Sequence, residues 1–132
     1  MTDINYKILG QKLIEKHPEI AKDLVNRAVL YDLGIIPEIT DIIFCHDKIQ
    51  GINDFEKREI ILAVILKLYD PDHLEGYKKM KSGLRGSIAI LFKCSPTRIT
   101  HLSQKVNNLL SIYKDFEVNV DYFVNLIIEK YC

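Results

Sequence analysis

The feature that most constrains folding is an unbroken apolar stretch of seven residues, Ile60–Leu66. This stretch is much shorter than the about twenty apolar residues that a membrane span needs. The apolar pattern continues without a break over Phe55–Tyr69, which is too long for a typical buried strand and therefore favours a helix. A helix that is apolar on every side must be surrounded by protein. We therefore predict that this helix is the central one and that the others pack around it.

Most other segments repeat apolar residues every three or four positions, which is the period of an amphipathic helix. Pro18 and Gly34 suit the start and end of one helix, and Pro37 suits the start of another that ends before Gly51. Near the C-terminus one helical stripe contains Val120, Phe123, Val124, Ile127, Ile128 and Tyr131. No segment alternates convincingly with period two. The sequence therefore predicts an all-α fold, a compact bundle of about six helices.

The chain is predicted to form a single domain, residues 1–132, with a break after the central helix. Pro71 disfavours a helical conformation of Asp70 and should end that helix. Residues 73–83 are polar, basic and interrupted by glycine, so we expect a linker or a mobile loop. This segment separates an N-terminal helical half, residues 1–72, from a C-terminal half, residues 84–132.

Residues 84–106 have the spacing of two short helices that cross at a tight turn. Ala89 offers a small side chain where the second helix can pack, and Ser95 with Pro96 supplies an N-cap and a first-turn proline. The surrounding apolar positions are Ile88, Phe92, Cys94, Ile99 and Leu102. This segment resembles the helix-turn-helix motif of DNA-binding proteins. It departs from the family at Lys93, where the family usually has a left-handed Gly, and a non-Gly residue there costs about 1 kcal/mol.

The resemblance implies that the helix starting at Pro96 enters the major groove of duplex DNA, with its N-terminal residues nearest the base edges. Arg98 can donate two hydrogen bonds to guanine, and Gln104 can pair with adenine. Lys93 and Lys105 are expected to contact the phosphate backbone, which adds affinity without sequence information. The candidate DNA-binding residues are Lys93, Ser95, Thr97, Arg98, Thr100, His101, Gln104 and Lys105.

The charges are unevenly distributed, although the chain has 18 basic and 18 acidic residues. Residues 73–114 contain eight Lys or Arg and one acidic residue, Glu75, so they have an excess of seven positive charges. The remainder has a matching excess of negative charge. Such asymmetry is typical of proteins that contact nucleic acid on one side. The accessory basic candidates before and within the first helix of the motif are Lys78, Lys79, Lys81 and Arg85.

Patterns that would indicate an enzyme or a cofactor are weak. Asp70, Asp72 and His73 are capable of binding a metal, but no second cluster of ligands pairs with them. There is no phosphate-binding Gly-rich loop and no dinucleotide fingerprint. We therefore predict no catalytic residue, no bound metal and no cofactor.

The expected location is the cytoplasm. Cys45, Cys94 and Cys132 are odd in number and far apart, which favours reduced thiols over a disulfide framework. No secretory signal and no membrane-spanning stretch is visible in the sequence.

The sequence favours a small non-catalytic DNA-binding protein, regulatory in role and acting in transcription. Helix-turn-helix proteins commonly dimerise to contact two half-sites, so a dimer is compatible with this hypothesis. The alternative is a helical adaptor or assembly protein, such as one from a mobile genetic element, that uses the paired helices only as scaffold. The stripe of the last helix is then a candidate interface for a second copy or another protein.

Overall fold

The computed structural model describes residues 28–74 and 79–132. These residues form six α-helices and two short 3-10 turns, and no strand occurs among them. The helices are α1 (Ile36–Phe44), α2 (Asp54–Tyr69), α3 (Pro71–Leu74), α4 (Leu84–Phe92), α5 (Pro96–Ile112) and α6 (Lys114–Tyr131). The predicted all-α bundle is confirmed. Within the described residues, no helix combines the length and apolar character needed to cross a bilayer.

Helix α2 lies at the centre of this arrangement. Asn53 caps it, because its side-chain oxygen accepts the N–H of Glu56 at 2.8 Å. Every residue of Ile60–Leu66 is buried. Helices α1, α5 and α6 all pack against α2, so the prediction of a central, surrounded helix is confirmed.

The apolar stripe of α6 belongs to the core. Val120, Phe123 and Ile127 are completely buried, and their helix packs directly on α2. An ion pair between Lys67 Nζ and Asp121 Oδ1, at 2.6 Å, joins the same two helices. The other three residues of the stripe are half-buried. The inner half of the stripe is therefore part of the core of this chain.

The prediction of a helix from Pro18 to Gly34 is wrong over the part of this segment that the structure describes. The segment 28–32 is not helical, and the N–H groups of Val29 and Leu30 both donate to the Leu68 carbonyl oxygen, at 2.8 and 3.0 Å. That carbonyl lies in the last turn of α2, where a helix has no internal donors left. Tertiary hydrogen bonds thus replace helical ones here. The remainder of this helix, and the one predicted before Pro18, lie outside the described residues.

The helix starting near Pro37 is also shorter than predicted, because α1 ends at Phe44 instead of continuing toward Gly51. His46 has an extended backbone, and its Nδ1 accepts the N–H of Lys48 at 3.0 Å. This side-chain cap starts a 3-10 turn over Asp47–Ile49. His46 also packs edge-on against Phe123, with ring centroids 5.2 Å apart, which fixes the bend against the core.

The end of α2 is anchored by the segment that precedes α4. Asp70 ends α2 as predicted, with φ −150° and ψ 65°. Its Oδ2 accepts the backbone N–H of Lys81, and the Lys81 ammonium donates to the Tyr69 carbonyl oxygen, both at 2.8 Å. Leu74 in α3 is buried in the core. The described ends of the basic segment 73–83 therefore contact the helical body directly.

Candidate nucleic-acid interface

The turn between α4 and α5 depends on a left-handed lysine. Lys93 has φ 56° and ψ 46°, and no other non-Gly residue among those described has a positive φ. The N–H of Cys94 donates to the Ala89 carbonyl at 3.0 Å, and the N–H of Lys93 donates to the Ile90 carbonyl at 3.2 Å. These two bonds form the Schellman pattern that ends a helix at a left-handed residue. The turn has this geometry even though the sequence carries Lys in place of Gly.

Packing between the two helices uses the apolar positions identified in the sequence. Ile88, Ala89, Phe92 and Ile99 are buried, while Leu102 and Cys94 are half-buried. The predicted cap at Ser95 is confirmed, because its Oγ accepts the N–H of Arg98 at 3.2 Å. Helix α5 continues to Ile112, well beyond residue 106.

Four of the candidate DNA-binding side chains project freely from the first turns of α5. Thr97, Arg98, His101 and Gln104 are all exposed. Over residues 28–74 and 79–132, their side chains make no hydrogen bond, ion pair or ring contact. Lys93 is exposed beside them in the turn. This face of α5 is therefore available to a ligand without first breaking an internal interaction.

Lys105 differs from these four because it is bound to the central helix. Its Nζ lies 3.1 Å from Glu59 Oε2, and the Glu59 side chain is only 6% exposed. The same ammonium lies 4.6 Å from the centre of the Phe55 ring, a cation–π distance. The sequence assigned Lys105 to the DNA backbone, but the structure gives it an internal partner.

Thr100 and Ser95 also have partners within the chain. Thr100 Oγ1 accepts a hydrogen bond from Arg85 Nη1 at 3.1 Å and donates to the Pro96 carbonyl at 3.3 Å. Ser95 is occupied by its capping bond. Arg85 therefore bridges α4 and α5 and is held with part of its guanidinium still exposed.

The accessory basic residues that the structure describes meet in one cleft. Lys79, Lys81 and Arg85 line a cavity of about 480 Å³, together with Pro96 and Thr100 from the start of α5. Lys78 lies outside the described residues. The structure thus brings the basic segment and the candidate reading helix to a common site, which the spacing of residues in the sequence could not show.

The acidic and histidine residues after α2 have structural partners. Asp70 accepts the Lys81 N–H, and His73 Nε2 lies 3.0 Å from Ser103 Oγ. Ser103 is buried and donates its hydroxyl proton to the Thr100 carbonyl at 2.7 Å. Nothing in the spacing of His73 and Ser103 along the sequence indicates this contact. Among the described residues, no group of three His, Cys, Asp or Glu side chains is arranged to hold a metal.

A second concave surface lies where α5 meets α6. It is a groove of about 430 Å³ with apolar walls that include Ile60, Leu109 and Phe116 and with Glu56 and Glu59 at its margin. Exposed apolar side chains occur at the same junction, at Ile112, Tyr113 and Val118. The sequence did not indicate this groove, because its walls combine α5 and α6 with α2, which is distant from both along the chain.

No family model matches the chain, and neither a curated protein nor a solved structure is significantly similar to it. The features of the structure that bear on function are therefore the exposed face of α5, the basic cleft and the groove. The two helices α4 and α5 supply geometry, and geometry alone does not decide what a site binds.

Proposed function

We propose that the chain is a small non-catalytic DNA-binding protein with a regulatory role in transcription, and that the first turns of α5 contact duplex DNA. One observation carries the proposal: the exposed face of Thr97, Arg98, His101 and Gln104 has no partner among the described residues and adjoins a cationic cleft. Unengaged polar side chains at the start of a helix are suited to base edges. Cations beside them are suited to phosphates.

The roles of the candidate residues follow from their surroundings. Arg98 and Gln104 are assigned to base edges, since both side chains are exposed and unpaired within the described residues. Lys93 is assigned to the phosphate backbone from the exposed turn. Lys105 is assigned to holding α5 on α2, because its partner Glu59 is buried. We place the activity in the cytoplasm, since the three cysteines are free thiols.

The test is a binding titration with mixed-sequence duplex DNA at about 50 and about 200 mM salt, since phosphate-dominated binding weakens steeply over this range. Selection from a randomised duplex pool then measures sequence preference. Arg98→Ala should weaken binding about tenfold or more and relax the preference at one base position. Lys93→Ala should weaken binding to all sequences to a similar extent.

Lys48→Ala is the matched control, because it removes one exposed positive charge from the bend between α1 and α2, where Lys48 lies 4.6 Å from the Tyr122 ring centre. This variant should bind as the wild type does. The proposal is wrong if the wild type shows no salt-sensitive binding, or if Arg98→Ala and Lys48→Ala lower affinity equally.

The groove between α5 and α6 favours a second candidate, a protein–protein adaptor or assembly role such as a mobile element would encode. Ile112 is 70% exposed at this junction, and an apolar side chain so placed can be buried by a partner. A homodimer through the groove would also suit a DNA-binding role. Light scattering over a range of protein concentrations, with Ile112→Asp beside the wild type, tests the homodimer. A monomer at every concentration rules out self-association through this groove.

A further inference from the structure

The cationic cleft beside α5 has the features of a preformed anion site. Lys79, Lys81 and Arg85 line it, and the hydroxyls of Ser82 and Thr100 contribute donors. Among the described residues that line it there is no Asp or Glu. Three cations around a cavity of about 480 Å³, with no carboxylate among the described lining residues, favour a ligand of concentrated negative charge.

Two of the three cations are held in place by bonds within the chain. Lys81 Nζ donates to the Tyr69 carbonyl at 2.8 Å, which uses one of its three N–H groups. Arg85 Nη1 donates to Thr100 at 3.1 Å and leaves other guanidinium donors available. Side chains already fixed in this way lose less conformational entropy when a ligand binds.

The carboxylate of Asp70, which lies close to the cleft, is already engaged by the backbone. Asp70 is the acidic group bonded to Lys81, and it is buried and engaged with the Lys81 backbone N–H at 2.8 Å. The first turn of α4, which begins beside Gly83 in the cleft, contains no acidic residue and has no side-chain cap. Backbone donors of that turn therefore add to the positive potential of the cations.

We propose that this cleft binds a phosphate group, with Arg85 as its principal ligand and with Lys79 and Lys81 as further cations. Arg suits phosphate because its planar guanidinium donates two parallel hydrogen bonds, whereas Lys acts as a compact charge. The phosphate is then part of the DNA backbone next to the first turn of α5. This identification of the phosphate rests on the function proposed above. A small phosphorylated molecule would present the same chemistry.

Gly86 allows a test in which the variant keeps its fold. It lines the cleft from within α4, and a Cβ added there meets no atom of the other described residues within 4 Å, apart from its own helix backbone. Gly86→Glu adds a carboxylate beside the cations, and Gly86→Gln adds nearly the same volume without charge. Both substitutions should favour the helix, since Gly is a poor residue in a helix interior.

The experiment is a titration of the isotopically labelled full chain with inorganic phosphate, following backbone amide resonances, against sodium chloride at equal ionic strength. We expect saturable shifts at Gly83, Arg85 and residue 86 in the wild type and in Gly86→Gln, and none in Gly86→Glu. Arg85→Gln should weaken phosphate binding about tenfold or more, since charge-assisted hydrogen bonds are the strong ones. The proposal is overturned if phosphate causes no saturable shift at these residues, or if Gly86→Glu and Gly86→Gln respond alike.

A second experiment distinguishes the phosphate-site proposal from the DNA-binding function, on which the origin of the phosphate depends. Duplex DNA is added to the phosphate-saturated chain. Displacement of phosphate by DNA supports the DNA backbone as the source. If phosphate binds with the expected variant pattern but DNA neither binds nor displaces it, the cleft is a phosphate site for a small phosphorylated ligand. The DNA-binding proposal is then wrong.

Discussion

Lys105 and Glu59 join the exposed helix α5 to the central helix α2, with 3.1 Å between the ammonium nitrogen and the carboxylate oxygen. The Glu59 side chain is 6% exposed and the Lys105 side chain 50% exposed. The carboxylate is therefore desolvated while its partner remains partly in water. Because removing one member of such a pair leaves a buried charge behind, the contact has a structural consequence that an ordinary surface ion pair lacks.

Lys105→Ala should therefore lower the free energy of unfolding by about 1–2 kcal/mol, less than for a fully buried pair because Lys105 is half exposed. Adding Glu59→Gln should restore part of this loss, since the amide carries no charge into the core. Urea unfolding of the wild type, the single variants and the double variant measures the coupling. Equal stability of Lys105→Ala and the wild type would show that the pair is not formed in solution.

Lys93→Gly should raise the free energy of unfolding by about 1 kcal/mol, because the backbone at this position is left-handed and Gly adopts it without a Cβ clash. Lys93→Ala is the control, since it removes the same charge but keeps the Cβ, and it should not be stabilised. Under the proposed function both variants lose the same phosphate contact. Thermal or urea unfolding thus measures the backbone effect separately from DNA affinity. If Lys93→Gly is no more stable than Lys93→Ala, the left-handed backbone at this position is not strained.

Local signals in the sequence accounted for both ends of α2 and for the start of α5. Asn53, Pro71 and the Ser95–Pro96 pair act within a few residues of their own position, so the cap or the stop can be recognised without knowing the fold. The continuous apolar stretch Ile60–Leu66 likewise had to lie at the centre, because no exposed surface can accommodate it.

The structure differs from the sequence-based expectations, or adds to them, where distant residues determine the local structure. Val29 and Leu30 leave the helical conformation because the Leu68 carbonyl, at the far end of α2, accepts their N–H groups. Lys105 is drawn to Glu59 by the packing of α5 on α2, which its spacing from Arg98 does not reveal. The cleft was missed for the same reason, since Lys79 and Thr100 meet only after folding.

Tyr69 should make the fold sensitive to alkali. Its hydroxyl donates to the Asp32 carbonyl at 2.6 Å, and burial, followed by the negative charges of Asp32 and Tyr131, raises its pKa from 10.0 to about 12. The neutral phenol is therefore favoured in the folded state. Its stabilising contribution is complete below about pH 10 and is lost as pH rises toward about 12, because the unfolded chain ionises first.

Urea unfolding on both sides of this window tests the effect. Tyr69→Phe should be about 1 kcal/mol less stable than the wild type near neutral pH, since it loses one hydrogen bond. It should then lose less stability than the wild type as the solution becomes alkaline. Tyr113→Phe, at an exposed tyrosine, is the control and should follow the wild type. Parallel pH profiles for wild type and Tyr69→Phe would exclude Tyr69 as the titrating group.

Two substitutions of Ser95 allow the stability of α5 and its proposed contact with DNA to be measured separately. Ser95→Ala removes the oxygen that accepts the Arg98 N–H and should lower stability by about 1 kcal/mol. Ser95→Asp retains a capping oxygen and adds a negative charge at the helix N-terminus, which is favourable for the helix. The same charge repels a phosphate, so Ser95→Asp should be at least as stable as the wild type and yet bind DNA more weakly.

The two variants together distinguish a helix that reads DNA from one that is only scaffold. If DNA affinity followed helix stability alone, Ser95→Ala would be the weaker binder and Ser95→Asp would match the wild type. The opposite order, with Ser95→Asp stable but weak in binding, requires the ligand's negative charge to lie close to the start of α5. Unfolding curves and DNA titrations on the same protein samples decide between these orders.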